Sequence, residues 1–188
     1  MGMGDAAKRR ATYDDLLAVP DHLVAEILDG ELVTSPRPAS THARAASDLG
    51  AELIVSFDKG KGGPGGWVIL FEPELHLGGH VLVPNLAGWR RERMPEMPNV
   101  PYFELAPDWV CEVLSPSTAA RDRARKRPIY ANYKVRHLWM VDPDAKTLEV
   151  FRLDGEGWRL VGTWEGDARV RAEPFDAIEL ELAGLWAR

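Results

Sequence analysis

Two short apolar runs, DWVCEVL at 108–114 and HLWMVDP at 137–143, flank a stretch rich in alanine and arginine. Strands joined through a helix are not hairpin neighbours. Packed side by side they make a parallel pair. This strand–helix–strand unit over 108–141 commits the chain to a mixed α/β fold with antiparallel strands elsewhere. It also poses a chemical question, because Glu112 stands inside the first strand. A carboxylate in a mostly buried strand is costly unless something pairs with it or it binds a cation. Alternation puts Glu112 on one face with Val110 and Leu114, opposite Cys111 and Val113.

The remaining punctuation fills in a single domain. Asp29-Gly30 between two apolar runs predicts a hairpin. PASTHARAASDLGAELIVSF predicts an amphipathic helix capped by Ser40 or Thr41. KGKGGPGG is a breaker loop. WVILFEPELHL and VLVPNLAGW read as strands flanking a Gly78-Gly79 turn, and the Pro-rich segment 92–107 reads as a loop. Ser117 or Thr118 caps the next helix, which Pro128 should kink. A turn at Asp142-Pro143-Asp144 and a hairpin around Asp154-Gly155 follow, and further strands end the chain. The expected organisation is a flexible tail over 1–11 and one domain over 12–188. The length of 188 residues fits one core and not two.

Composition excludes several classes. With 45% hydrophobic and 28% charged residues the chain is neither disordered nor membrane-spanning, and no apolar run reaches bilayer length. A net charge of −6 argues against a uniformly basic nucleic-acid binder but leaves room for local patches. Two exist: Arg90, Arg91 and Arg93 in one loop, and Arg121, Arg123, Arg125, Lys126 and Arg127 along a helix. Cys111 is the single cysteine, which fits a reducing cytoplasm, and no signal peptide is read.

Asp122, Lys126 and Tyr130 recur every fourth residue and share a helix face. A helix that packs back on its preceding strand brings Lys126 toward Glu112. Carboxylate and lysine together suit metal-assisted phosphodiester hydrolysis, the one holding a hard cation such as Mg²⁺ and the other orienting water or phosphate.

At these residues the chain resembles a known family. VLVPNLAGWRRERMPE, APDWVCEVLSPST, the D-x-x-x-K-x-x-x-Y series at Asp122, Lys126 and Tyr130, and HLWMVDP are similar to the bacterial Uma-two family of restriction-endonuclease-like proteins. That family lies within the PD-(D/E)XK nuclease superfamily. AEILDGELV and PRPASTHARAASDLGAEL extend the resemblance, which runs over roughly 12–155. It implies a restriction-endonuclease-like core, a mixed sheet with flanking helices and added N- and C-terminal β-hairpins. The implied elements are a helix at 40–57, strands at 67–76, 81–87 and 108–114, a helix at 118–133 and a strand at 136–141. It also implies roles. Glu112 is the motif glutamate and a metal ligand. Leu114 stands where the usual strand lysine would be, so Lys126 supplies the amine.

The motif aspartate is replaced by Asn85, after Pro84. Asparagine offers one carbonyl oxygen and no charge, whereas hard cations favour carboxylates. Three readings follow. The chain is a weakened or inactive member; or another carboxylate, Glu74, Glu26 or Glu31, compensates; or it binds a different metal or none. The literal Pro107-Asp108 is no substitute, since four residues of strand put Asp108 and Glu112 roughly 13 Å apart. Asp122 and His42 are supporting candidates, and Arg90, Arg91, Arg123 and Arg127 candidate phosphate contacts. His80 is a further nearby ligand type. The expected activity is Mg²⁺-dependent (or Mn²⁺-dependent) cleavage of DNA by a cytoplasmic protein, with a homodimer compatible with cutting both strands. The alternatives are a non-catalytic nucleic-acid- or protein-binding module on the same fold, and a small-molecule hydrolase reusing the metal site.

Overall fold

The computed structural model describes residues 9–186. Most of the tail expected over 1–11 lies outside them; of its described residues, Ala11 N–H donates to Gly30 O at 2.8 Å. A short helix α1 (Tyr13–Leu17), not foreseen, starts on a capping box in which Thr12 and Asp15 bond reciprocally. Strands β1 (Leu23–Leu28) and β2 (Glu31–Pro36) form the expected hairpin, with Asp29 and Gly30 at φ 55 and 80. Helix α2 (Ser40–Leu53) follows and runs into a π-helical turn, Ile54–Asp58. Its cap position is Ala39 and no side chain caps it, in place of the expected Ser40 or Thr41.

The next two expected strands each break in two. WVILFEPELHL becomes β3 (Trp67–Phe71) and β4 (Leu75–Leu77); VLVPNLAGW becomes β5 (His80–Leu82) and β6 (Leu86–Arg90). The breaks fall at Glu72-Pro73, where Glu72 has φ 43, and at Val83-Pro84. A proline cannot donate to a ladder, so each run crosses from one sheet to another there. β4 and β5 still pair across the Gly78-Gly79 turn and join β1 and β2 in a four-stranded sheet.

β7 (Trp109–Val113) leads through Ser115–Thr118 to a helix of three segments, α3 (Ala119–Arg121), a π turn (Asp122–Lys126) and α4 (Arg127–Asn132). Pro128 lies at the start of α4. It has no N–H for the carbonyl four residues back, and the widened turn before it absorbs that irregularity. Strand β8 (His137–Asp142) returns parallel to β7, as the strand–helix–strand unit requires. The hairpin β9 (Thr147–Asp154) and β10 (Gly157–Glu165) then extends the same sheet. The main sheet has six strands in the order β10-β9-β8-β7-β6-β3. A small pair, β11 (Arg169–Val170) and β12 (Leu180–Glu181), and a 3-10 turn (Leu182–Trp186) close the described chain.

Alternation along β7 divides the core as expected. Cys111 and Val113 face α2 and the C-terminal segment, in a cluster where Phe175 packs against Trp67, Trp109 and Trp139 with ring centroids 4.9, 4.9 and 5.6 Å away. Val110 and Leu114 face Ile129 and Tyr130 of α4 and the small sheet's Leu28, Leu75 and Leu82. Glu112 is thus directed into the second core, where α3–α4 and the small sheet meet the main sheet.

Candidate active site

The carboxylate in the strand is met by a lysine. Lys126 Nζ lies 2.7 Å from Glu112 Oε1, 2.9 Å from Glu26 Oε1 and 3.7 Å from Asp122 Oδ1. Tyr130 OH donates to Glu112 Oε1 at 2.6 Å. Glu26, Glu112, Asp122 and Lys126 are each at most 3% exposed. The sheet break supplies Glu26 with a further donor, since the Val83 N–H beside Pro84 reaches its Oε1 at 2.9 Å.

Asn85 occupies the same break. The β6–β7 register ends at Leu86 opposite Cys111, so the strand no longer serves Val113 N–H; the Asn85 side-chain oxygen accepts it at 2.7 Å. The same residue's carbonyl is met from α2, where His42 donates through Nε2 to Val113 O at 2.5 Å. A carbonyl can only accept, so Nε2 carries the proton. Glu26, His42, Asn85, Glu112, Asp122 and Lys126 line one cavity of about 280 Å³, together with Arg37, Glu72, Ser115, Ser117, Thr118 and Arg121.

The charges in this cavity do not balance. Four carboxyl groups, on Glu26, Glu72, Glu112 and Asp122, line it against three cations, Lys126, Arg37 and Arg121, and three of the four surround the one ammonium; Arg121 has its Nε 4.0 Å from Glu26 Oε2. Burial pushes the Glu112 carboxyl up to about 8; Lys126 opposes this, and Asp122 and Glu26 add to it. Burial alone would lower Lys126, but Glu112, Glu26 and Asp122 outweigh it and hold the ammonium above its ordinary range. Tyr130 is driven up by burial and by the same carboxylates. Burial lowers His42, against the pull of its bond to Val113 O and of Asp122 and Glu72.

Hard oxygen donors with surplus negative charge are what a divalent cation of the magnesium type takes. Among the described residues no three His, Cys, Asp or Glu side chains converge closely enough to hold a metal by themselves. Magnesium needs fewer, since it keeps several waters and is commonly held by one or two carboxylates plus substrate phosphate. Glu112 and Glu26, with the Asn85 carbonyl in the same cavity, fit that demand in donor type, and an ion there would favour release of the Glu112 proton.

A model of the Uma2 family, described as "Putative restriction endonuclease", matches residues 11–183. The chain belongs to the Uma2 family. A crystal structure described as a "putative nuclease belonging to DUF820", from Anabaena variabilis, shares its fold at a TM-score of 0.74. The two are 24% identical, over 94% of this chain and 97% of that one. No curated protein matches the chain.

Of the residues singled out in this Uma2 sequence, the fold brings Glu112, Lys126, Asp122, Asn85, Glu26 and His42 to one cavity. Of the three compensating carboxylates only Glu26 is there. Glu31 is on the hairpin surface beside Arg125, at 3.1 Å. Glu74 accepts from Tyr13 OH at 2.8 Å and bonds His76 Nε2 at 2.7 Å, in a neighbouring depression. His80 is bonded to Asp29 N–H. Asp108, at the start of β7, serves Arg93 and the Arg90 N–H.

The four arginines expected to meet phosphate are placed elsewhere, and none lines the cavity. Arg90 lies over the Trp67 ring, Arg91 pairs with Asp58, Arg123 pairs with Glu149 and Arg127 lies over the Phe151 ring. The cavity's own arginines are Arg37, which sequence reasoning missed, and Arg121, which it counted only as part of a charged stretch.

The raised Glu112 makes stability depend on pH. The folded carboxyl keeps its proton to about 8, while the unfolded one loses it near the ordinary value of 4.5. Between these values the native state binds more protons, so this group's contribution to stability falls as pH rises. The melting temperature of the chain minus that of Glu112→Gln should therefore decrease between pH 5 and pH 8. A difference that is flat, or that rises, would mean Glu112 is ionised throughout.

Proposed function

We propose that this Uma2 chain hydrolyses DNA phosphodiester bonds with the help of a divalent cation, Mg²⁺ or Mn²⁺. The observation that carries the reading is the buried Lys126–Glu112 pair, flanked by Glu26, on the wall of an accessible cavity with more carboxyl groups than cations. Glu112 and Glu26 would hold the ion, with the Asn85 oxygen as a neutral neighbour. When bound, such a cation supplies Lewis-acid stabilisation of a phosphoryl oxygen and a more acidic water. Lys126 is fixed by hydrogen bonds to Glu112 and Glu26 and would direct its third N–H at the attacking water or the charge developing on phosphate. Asp122 and Tyr130 hold Lys126 and Glu112 in place. The proposed location is the cytoplasm, where the lone, buried Cys111 stays reduced. No helix among the described residues is long and apolar enough to cross a membrane.

The test is cleavage of supercoiled plasmid in Mg²⁺ or Mn²⁺ by the chain and by Glu112→Gln. Cleavage that needs the metal and drops by about a hundredfold or more in the variant supports the reading. Cleavage that persists in the variant, or in chelator, overturns it.

A second reading, a non-catalytic binding module, draws on Asn85, whose oxygen already has a backbone partner. DNA binding without cleavage in either metal would favour it.

A further inference from the structure

On the Uma2 nuclease reading above, the cavity must also hold a phosphate, and the surface arginines do not reach it. We propose that a backbone phosphate of the DNA strand is bound by a cradle made of Arg121, Arg37, His42 and the N-terminus of α2.

Four observations meet there. Arg121 Nε is buried and has no hydrogen-bond partner among the described residues. Its nearest carboxylate oxygen, on Glu26, is 4.0 Å away, too far for a hydrogen bond. A buried guanidinium donor without an acceptor is expensive, and a phosphate oxygen satisfies it. Arg37 lines the same cavity; its Nη2 donates to Asp21 O at 3.0 Å and its Nη1 is 3.9 Å from Glu72, which leaves donors unused.

His42 is 8% exposed, and its Nδ1 is likewise buried without a partner. With Nε2–H committed to Val113 O, the ring has only Nδ1 to offer. Burial disfavours a second proton on the ring, against the pull of its bond to Val113 O and of Asp122 and Glu72; a phosphate oxygen placed at Nδ1 adds to that pull and would accept from the protonated nitrogen. Finally, α2 is 14 residues long and begins beside this ring without a side-chain cap. Ala43 is the first residue to bond back within the helix, to Ala39 O, so the N–H groups before it are free for an anion.

The measurement is binding of a fluorescent DNA duplex in EDTA, which separates it from cleavage, at several salt concentrations. Arg121→Gln and Arg37→Gln are each expected to weaken binding about tenfold. Each should also lower the slope of log affinity against log salt by about one. Arg91→Gln, which alters a pair with Asp58 outside the cavity, should change neither. Arg37 is exposed, so its variant keeps the test open should Arg121→Gln fold poorly. Unchanged affinity and slope in Arg37→Gln and in a folded Arg121→Gln, or no binding by the parent chain, overturns the cradle. A chain that cuts DNA while both variants bind as the parent does loses the cradle and keeps the nuclease reading. A chain that binds through both arginines and never cuts loses the nuclease reading and keeps the cradle.

Discussion

Lys126→Met is expected to abolish cleavage and to destabilise the chain by about 3–5 kcal/mol at pH 8. The ammonium is within 4 Å of Glu112, Glu26 and Asp122, all buried. Methionine matches the lysine stem in length and packing but leaves three carboxyl groups without their cation. They cannot remain ionised at that depth and will take up protons. The sign of the pH dependence follows. The variant's native carboxyls titrate higher than the parent's, whereas the unfolded chains titrate alike. The native variant therefore binds extra protons above the ordinary carboxylate range, and its stability deficit grows as pH rises. Urea unfolding of both chains at pH 5 and pH 8 measures this. The deficit should be small at the lower pH and large at the higher one. Equal stability at pH 8 would show that Lys126 does not neutralise the cluster, and the site as described would not stand.

The strand–helix–strand unit was legible because local pattern and topology agree there. The period-two alternation of β7 fixed the direction of Glu112, and the Asp122, Lys126, Tyr130 series fixed the helix face that meets it. The π turn over Asp122–Lys126 was not legible, yet it left that face intact. Glu26 could be named only as one of three candidates. Its place depends on β1 meeting β5 through Ile27 and Val81, a contact between distant segments that no local pattern encodes. Which arginines line the cavity was hidden for a related reason. Charge runs show where cations are in the chain, not which ones find carboxylates or rings nearby. Arg123 found Glu149 and Arg127 found Phe151, both on the hairpin β9–β10, while Arg121 was left facing the cavity. Proline marked the strand breaks in plain sight. Reading WVILFEPELHL as one strand overlooked that Pro73 ends a ladder, and Pro84 does the same before Asn85.

Asn85→Asp should bind Mg²⁺ at least about tenfold more tightly than the parent and cut DNA faster in its presence. The substitution is nearly isosteric, and the oxygen that accepts the Val113 N–H at 2.7 Å is retained, so the break between β5 and β6 should fold as before. What changes is charge. The cavity already has more carboxyl groups than cations, so in chelator a further one should lower the melting temperature. A divalent cation then has more to neutralise and should raise the melting temperature of the variant more than that of the parent. Ligand that binds only the native state stabilises it by mass action, so this difference reports affinity without relying on catalysis. Calorimetric titration with Mg²⁺ and Mn²⁺, melting curves with and without metal, and plasmid cleavage should move together. If the variant melts lower in chelator and metal does not restore it, the added carboxylate faces no ion. If both chains bind and cut equally, Glu26 already completes the site and Asn85 serves only the Val113 amide.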